Sequence, residues 1–534
     1  MRYDALIVGG GMAGLTAAAY LSSSGSKVAV IEKEDKLGGL VNSFNFNGFT
    51  FDGGIRAIEN SGIIMPMLRQ LGIEVEFVKN HVSIGIEDDI VRLTSEDSLE
   101  DYRDLLIRQF PDHISDVERI IAEIRRVMDY MDVLYGIDNP LFLDMKKDRE
   151  YLLKTILPWV FKYIFTINKI QRLNAPIDQY MKTFTQNPIL IDMIAQHFFA
   201  ETPAFFALSY FSLYLDYQYP KGGTGMLAKK MEEFVLAHGA EIFTSTEVCY
   251  VDPENHIVTD IQGQSYAYKK LIWAADLKRF YRMLDISAIS SGKTQDIVSK
   301  QKTNVMDKVG GDSILTLYLT LDMDKSYFED ICSPHFFYTP KKQGLHQCAL
   351  SLLKNSDVGD HTFTDDPLSI MEWVQRYLDL TTYEISFPVM RNEQLAPAGK
   401  TGVIISTLFD YSLVKHILEL GLYEDFKDQS KNMIIDLLDS TVFPGIKYNV
   451  IDQFVSTPLT IETRTGSSEG AITGWAFTNP TIPVINKLTK IAQSILTPVP
   501  DVFQAGQWSY SPSGLPISVL TGKLAADKVL KELK

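Results

Sequence analysis

Cysteine is almost missing from this chain: Cys249, Cys332 and Cys348 are the only three in 534 residues, and no two stand in C-x-x-C spacing. Their odd number argues against a secreted disulfide framework and for a reducing, cytoplasmic compartment. Basic charge is also short, with 51 Lys and Arg against 67 Asp and Glu, a net charge of −16 and no clustered basic run. Nucleic-acid binding, which needs Lys and Arg grouped against phosphate, is therefore set aside. No apolar run reaches the roughly 18 residues of a membrane span, because Lys162, Asp192 and Asp216 interrupt the greasiest stretches. Arg2-Tyr3-Asp4 leads straight into Ala5-Leu6-Ile7-Val8, so no targeting segment is expected. Metal-ligand spacing is lacking too. His197 and Glu201 stand one helical turn apart without a third ligand, the other histidines are scattered, and no metal is expected.

What is present is a globular composition, 46% hydrophobic and 22% charged, in a chain long enough for two or more domains. Leu6 to Val8 reads as a buried strand, Met12 to Leu21 as a helix rich in Ala and Leu, and Lys27 to Glu32 as a second strand. That is a βαβ unit. Residues 76–219 read as mostly helical, with no strand alternation. The composition shifts at Tyr219-Pro220-Lys221-Gly222-Gly223, ahead of a helix from about Met226 to His238, a strand near Glu241 to Val251 and another at Lys270 to Ala275. Asp312 to Leu321 and Val403 to Leu408 read as further strands, and a last helix follows Pro516. The economical organisation is a nucleotide-binding domain assembled from residues 1–75, 220–285 and 490–534, with a substrate-binding domain made of 76–219 and 286–489.

Gly9-Gly10-Gly11-Met12-Ala13-Gly14 fits G-x-G-x-x-G between the first strand and the first helix. Glycines in this pattern permit a tight turn, close approach of a pyrophosphate and close helix packing, while the helix N-terminus offers free N–H groups. Glu32, about 20 residues further on, can accept hydrogen bonds from a ribose and would repel a 2′-phosphate. Gly222-Gly223-Thr224-Gly225 has the wrong spacing for a second fingerprint, so no NAD(P)H domain is expected and the electron donor or acceptor is left unnamed.

FAD and NAD share the fingerprint, and the segments after it separate them. Gly38-Gly39 follows the acid, then Phe51-Asp52-Gly53-Gly54-Ile55-Arg56, and here the sequence resembles the flavoprotein superfamily that includes amine oxidases and phytoene desaturases. There the Gly-Gly pair lets backbone lie against the FAD pyrophosphate and is often followed by Arg; this chain has Leu40. The segment from Tyr219 to Leu227, Thr246-Glu247-Val248, Leu271 to Asp276, Leu395 to Lys400 and Thr457 to Thr460 are similar to successive elements of the phytoene desaturase, carotenoid isomerase and retinol saturase family. So, above all, are Ala505-Gly506-Gln507-Trp508, Gly514-Leu515-Pro516 and Gly522-Lys523-Leu524-Ala525-Ala526.

The resemblance implies an α/β fold: a Rossmann-like FAD-binding domain with an inserted α+β substrate domain. It implies FAD held by Gly9, Gly11, Met12, Ala13, Gly14, Glu32, Lys33, Gly38, Gly39, Leu40, Gly54, Ile55, Arg56, Val248, Gly506, Gln507, Leu515, Pro516 and Ile517. It places the helix that starts near Pro516 beside flavin N1 and O2, where a positive helix end would stabilise a reduced flavin. The implied activity is desaturation, saturation or isomerisation of carbon–carbon bonds in a long apolar polyene or isoprenoid, such as a carotenoid or retinoid, with the flavin carrying the hydride.

Arg56 and Glu59 are candidates to stabilise charge or move a proton, against a structural ion pair or a solvated loop. Phe198, Phe205, Phe206, Tyr210 and Tyr214 are candidates to line an apolar channel, against plain helix core. Lys154, Lys162 and Lys169 interleave with Leu157, Trp159, Val160, Phe161, Ile164 and Phe165. Such a pattern rests on an anionic bilayer or forms a solvated face over core, and Pro158 is expected to break the helix. The competing functions are a flavin-containing amine oxidase and a flavin-free lipid carrier on the same scaffold.

Overall fold

In a computed structural model of the chain, which describes residues 2–143, 148–354 and 362–534, two seven-stranded sheets organise the molecule. In the first, Arg2–Val8 runs parallel to Val28–Ile31 on one side and to Ser265–Trp273 on the other. Glu241–Phe243 and Val502–Gln504 add parallel strands, and Val248–Asp252 with Ile257–Asp260 forms an antiparallel edge. Parallel strands covered on both faces read as unbroken apolar runs, which is why Leu6–Val8 and Val28–Ile31 are legible in the sequence. Met12–Ser23, Gly225–Ala237 and Leu515–Leu533 cover one face. Leu277–Met283 and Gly292–Met306 cover the other, together with Trp475 and Trp508.

The single strand expected from Glu241 to Val251 is two strands at opposite edges of this sheet. Residues 244–247 turn between them, with Ser245 in left-handed backbone at φ 51° and the Thr246 N–H donating to the Glu32 carbonyl.

The second sheet runs in the order Val450–Ser456, Ser313–Leu321, Thr401–Phe409, Tyr383–Ser386, His335–Thr339, Val82–Ile86, Asp89–Leu93. Every pairing is antiparallel except that of His335–Thr339 with Val82–Ile86. Alternation sorts its two faces: Leu317, Ile405, Ile385 and Phe336 pack into a core with Pro367–Leu380 and Tyr423–Ser440, while their neighbours face the other way.

Residues 76–219 are thus not free of strands. Phe77–Lys79, Val82–Ile86, Asp89–Leu93 and Gln218–Pro220 lie there, each of five residues or fewer, too short for a period of two to stand out beside helices such as Ile114–Tyr135. Pro158 does not break its helix either. It sits in the first turn of Leu157–Ile170, after a π-type turn over Leu152–Ile156 whose looser winding accommodates the missing N–H. His197 and Glu201 do not share a helical turn, since Pro188–Ala195 ends before them and Glu201 has φ 56°. Among the described residues no helix is long and apolar enough to cross a membrane.

Candidate active site

A cavity of about 1200 Å³ extends from the strand ends of the first sheet to the open face of the second. At its nucleotide end the fingerprint glycines divide the work. A Cβ on Gly14 would lie 1.9 Å from the Gly9 carbonyl oxygen, so the helix packs directly on the turn. A Cβ on Gly11 would meet nothing within 4 Å and would project into the cavity. The N-terminus of Met12–Ser23 has neither a side-chain cap nor an acid in its first turn, and the same holds for Leu515–Leu533, which has Pro516 in its first turn. Two bare, positive helix ends therefore open on one cavity, as binding of a dinucleotide pyrophosphate and of an electron-rich ring requires.

Glu32 accepts hydrogen bonds from the Gly10 N–H at 2.7 Å and the Glu34 N–H at 3.0 Å, and burial raises its carboxyl above the ordinary range. Val248, the first residue of its strand, lines the same cavity. The Leu40 carbonyl accepts from the Ile55 N–H at 3.0 Å and so clamps Gly54-Ile55 to the segment after Gly38-Gly39. Lys33 donates to the Thr463 carbonyl at 2.5 Å, and Gln507 to Ser467 Oγ at 3.3 Å. The Gly506 N–H donates to Thr521 Oγ1 at 2.9 Å, tying the last strand to the last helix. Every residue expected at the cofactor lines the cavity except Gly14, which acts through packing alone.

Asp52 explains why two distant motifs occur together. Its carboxylate accepts from Tyr219 Oη at 2.8 Å, from the Thr224 N–H and Oγ1 at 2.8 and 2.9 Å, and from Ser43 Oγ at 3.0 Å, which joins the Phe51–Arg56 stretch to the Tyr219–Gly225 turn. The Arg391 guanidinium stacks 4.0 Å from the centre of the Tyr219 ring and donates to the Arg56 carbonyl at 2.8 Å.

At the other end the wall is aromatic. Phe198, Phe205, Phe206, Tyr210 and Tyr214 all line the cavity, with the Tyr210 ring 5.2 Å from Phe198, 5.4 Å from Phe206 and 5.6 Å from Tyr214. Phe211, the next residue of the same helix, packs on Tyr102 instead. His197 sits in this wall 3.2 Å from Tyr214 Oη, and burial lowers its imidazole to about 4, so it is neutral. Glu59 also lines the cavity. Burial, reinforced by the nearby Asp216 carboxylate, raises it to about 7.

Arg56 is not paired with Glu59 and is not on a solvated loop. It is 4% exposed, donates to Ser406 Oγ at 2.7 Å and lies 3.4 Å from Glu384 Oε2. His335 Nε2 stands 3.1 Å from Glu384 Oε1 but is poorly aligned for a hydrogen bond. Burial alone would raise the Glu384 carboxyl; Arg56 first, then His335, overcome it and hold the group at about 2. Sequence reasoning missed Glu384, His335, Ser406 and Arg391. The one available signal was Glu384 itself, a lone acid in the strand Tyr383–Ser386, whose other residues are apolar or small.

Residues 12–322 match the profile of the flavin containing amine oxidoreductases. The chain is 23% identical over 548 aligned residues to a 1-hydroxycarotenoid 3,4-desaturase of Flavobacterium sp., with 98% of each chain covered. It is 22% identical to the chloroplastic prolycopene isomerase of Daucus carota, over 86% of this chain and 70% of that one. Among solved structures, putrescine oxidase bound to putrescine superposes with a TM-score of 0.59 at 14% identity, covering 99% of both chains. With more than half its length matched to that profile, an amine-oxidase fold and a cavity suited to a dinucleotide, this chain belongs to the flavin containing amine oxidoreductases and is an FAD-dependent oxidoreductase.

Proposed function

We propose that the enzyme acts on carbon–carbon bonds of a long apolar polyene or isoprenoid of the carotenoid or retinoid type. The observation that carries this reading is the aromatic half of the cavity, continuous with the half that suits FAD. The names of the desaturase and isomerase relatives support it. Gly11, Gly39, Gly506 and Leu515 would hold FAD, which would supply the hydride acceptor or donor. The wall of Phe198, Phe206, Tyr210 and Tyr214 aligns an extended chain and keeps water out. Glu59, poised at about 7, takes up or releases the proton that accompanies a change of bond order.

An anaerobic absorbance spectrum of the holoenzyme with a carotene or retinol tests this. Bleaching of the oxidised flavin band identifies desaturation, and reoxidation of chemically reduced flavin identifies saturation. An unchanged spectrum accompanied by a new geometric isomer identifies isomerisation. No change and no product removes the reading. The rate of the active direction is expected to show an ionisation near pH 7 that Glu59→Gln abolishes.

Delivery of such a substrate from an anionic bilayer is part of the proposal. On Leu157–Ile170 and the turn before it, Leu153, Leu157, Ile164, Phe161 and Phe165 are exposed, the last two by 63% and 72%, beside Lys154, Lys162 and Lys169. Ile167 and Ile170 of the same helix line the cavity. Phe161→Glu with Phe165→Glu is expected to release the protein from phosphatidylserine liposomes sedimented at low salt. Equal recovery of wild type and variant in the supernatant would remove this element.

A further inference from the structure

The face of the second sheet that floors the cavity carries a polar row where an all-hydrocarbon ligand would want none. Strand register sets Phe337 opposite Glu384, Glu384 opposite Ser406, Ser406 opposite Thr316 and Thr316 opposite Ser456. Ser406 Oγ accepts from Arg56 and lies 2.8 Å from Thr316 Oγ1, so these hydroxyls are engaged among themselves. Glu384 is different. Its side chain is 31% exposed, and that exposure is to the cavity, whose wall it forms with Phe337 and His335. Among the described residues, Arg56 at 3.4 Å stands at one oxygen and His335 at 3.1 Å at the other, although an ionised carboxylate offers about four lone-pair positions. Acceptor capacity is left facing the ligand.

The charge of this acceptor is already balanced by Arg56, so the ligand group it suits is a neutral donor. An anion would be repelled by the carboxylate, and a cation would leave a surplus positive charge beside Arg56 in an enclosed site.

We propose that Glu384 is a recognition site for a hydroxyl group on the polyene, a specificity determinant that distinguishes polyene alcohols from ethers of the same length. The inference rests on the polyene reading above. Arg56 acts here as a positioning residue, holding the carboxylate ionised and in place.

Equilibrium dialysis of the holoenzyme against all-trans-retinol, its methyl ether, retinylamine and retinoic acid tests the assignment, with lycopene in detergent as the hydrocarbon. Retinol is expected to bind at least about 10-fold more tightly than the ether, as a hydrogen bond to a charged acceptor provides. Glu384→Gln, which keeps the shape and a weaker acceptor, is expected to narrow that ratio to about 3-fold or less. Glu384→Leu is expected to abolish it; if Glu384→Leu does not fold, the Glu384→Gln ratio decides. Equal binding of retinol and ether by the wild type overturns the hydroxyl site and leaves the polyene reading standing. Retinylamine or retinoic acid binding more tightly than retinol overturns it in favour of an ionic site. Binding of neither retinol, ether nor lycopene overturns the polyene reading and the proposal with it.

Discussion

Arg56→Ala is expected to lower turnover by on the order of 10²-fold while FAD remains bound, because misplacing a ligand-contacting group by about 1 Å has that effect. Arg56 is buried and holds Glu384, through the 3.4 Å contact, and Ser406. Its loss removes the cation paired with an enclosed carboxylate and leaves His335 beside it, which costs on the order of 3 kcal/mol of stability. The pH dependence shows the same cause. In the native chain Glu384 is lowered from 4.5 to about 2, so its contribution to stability is fully present above pH 4.5 and is lost as pH falls toward 2. Without Arg56, burial, which raises the group, is less opposed, and acid unfolding is expected to begin at higher pH. Arg56→Lys keeps the charge and is expected to restore part of the acid stability but not the geometry of the paired contacts. Unchanged turnover in Arg56→Ala, with the flavin retained, would end the role.

Gly14→Ala and Gly11→Ala are expected to fail in opposite ways. At Gly14 the new methyl lies 1.9 Å from a backbone oxygen that no side-chain rotation can move aside. The helix Met12–Ser23 must shift from the turn, at a cost of about 3 kcal/mol or more. Thermal unfolding of the flavin-free protein registers this directly. At Gly11 the methyl meets open space, so the flavin-free protein is expected to melt as the wild type does, yet to retain far less FAD on gel filtration. The two variants separate the packing role of the fingerprint from its role of letting a pyrophosphate approach the backbone. Full flavin retention by Gly11→Ala would mean that the cofactor does not come close at that position.

The nucleotide end was legible because its signals are local. A buried apolar run, a glycine pattern and an acid at fixed spacing all lie within residues 6–32, and their structure follows from short-range sterics and burial. The aromatic residues from Phe198 to Tyr214 were legible as a class. Their sorting was not, because Phe211 and Tyr210 are adjacent in sequence and only packing sends one to Tyr102 and the other to the cavity. Short strands such as Val82–Ile86 escaped notice since five residues carry too little alternation to outweigh the helices around them. The turn at 244–247 was hidden for a related reason, as a single left-handed residue redirects an otherwise continuous β-prone run.

The βαβ unit, the uncapped start of its helix and the acid that follows its second strand are settled by the local sequence, because propensity, patterning and turn chemistry act between near neighbours. The surroundings of Arg56, by contrast, come from long-range packing. Its partner Glu384 is 328 residues away, brought to it by the register of the second sheet, and the charge state of that carboxylate depends on burial and on Arg56 rather than on anything in its own strand.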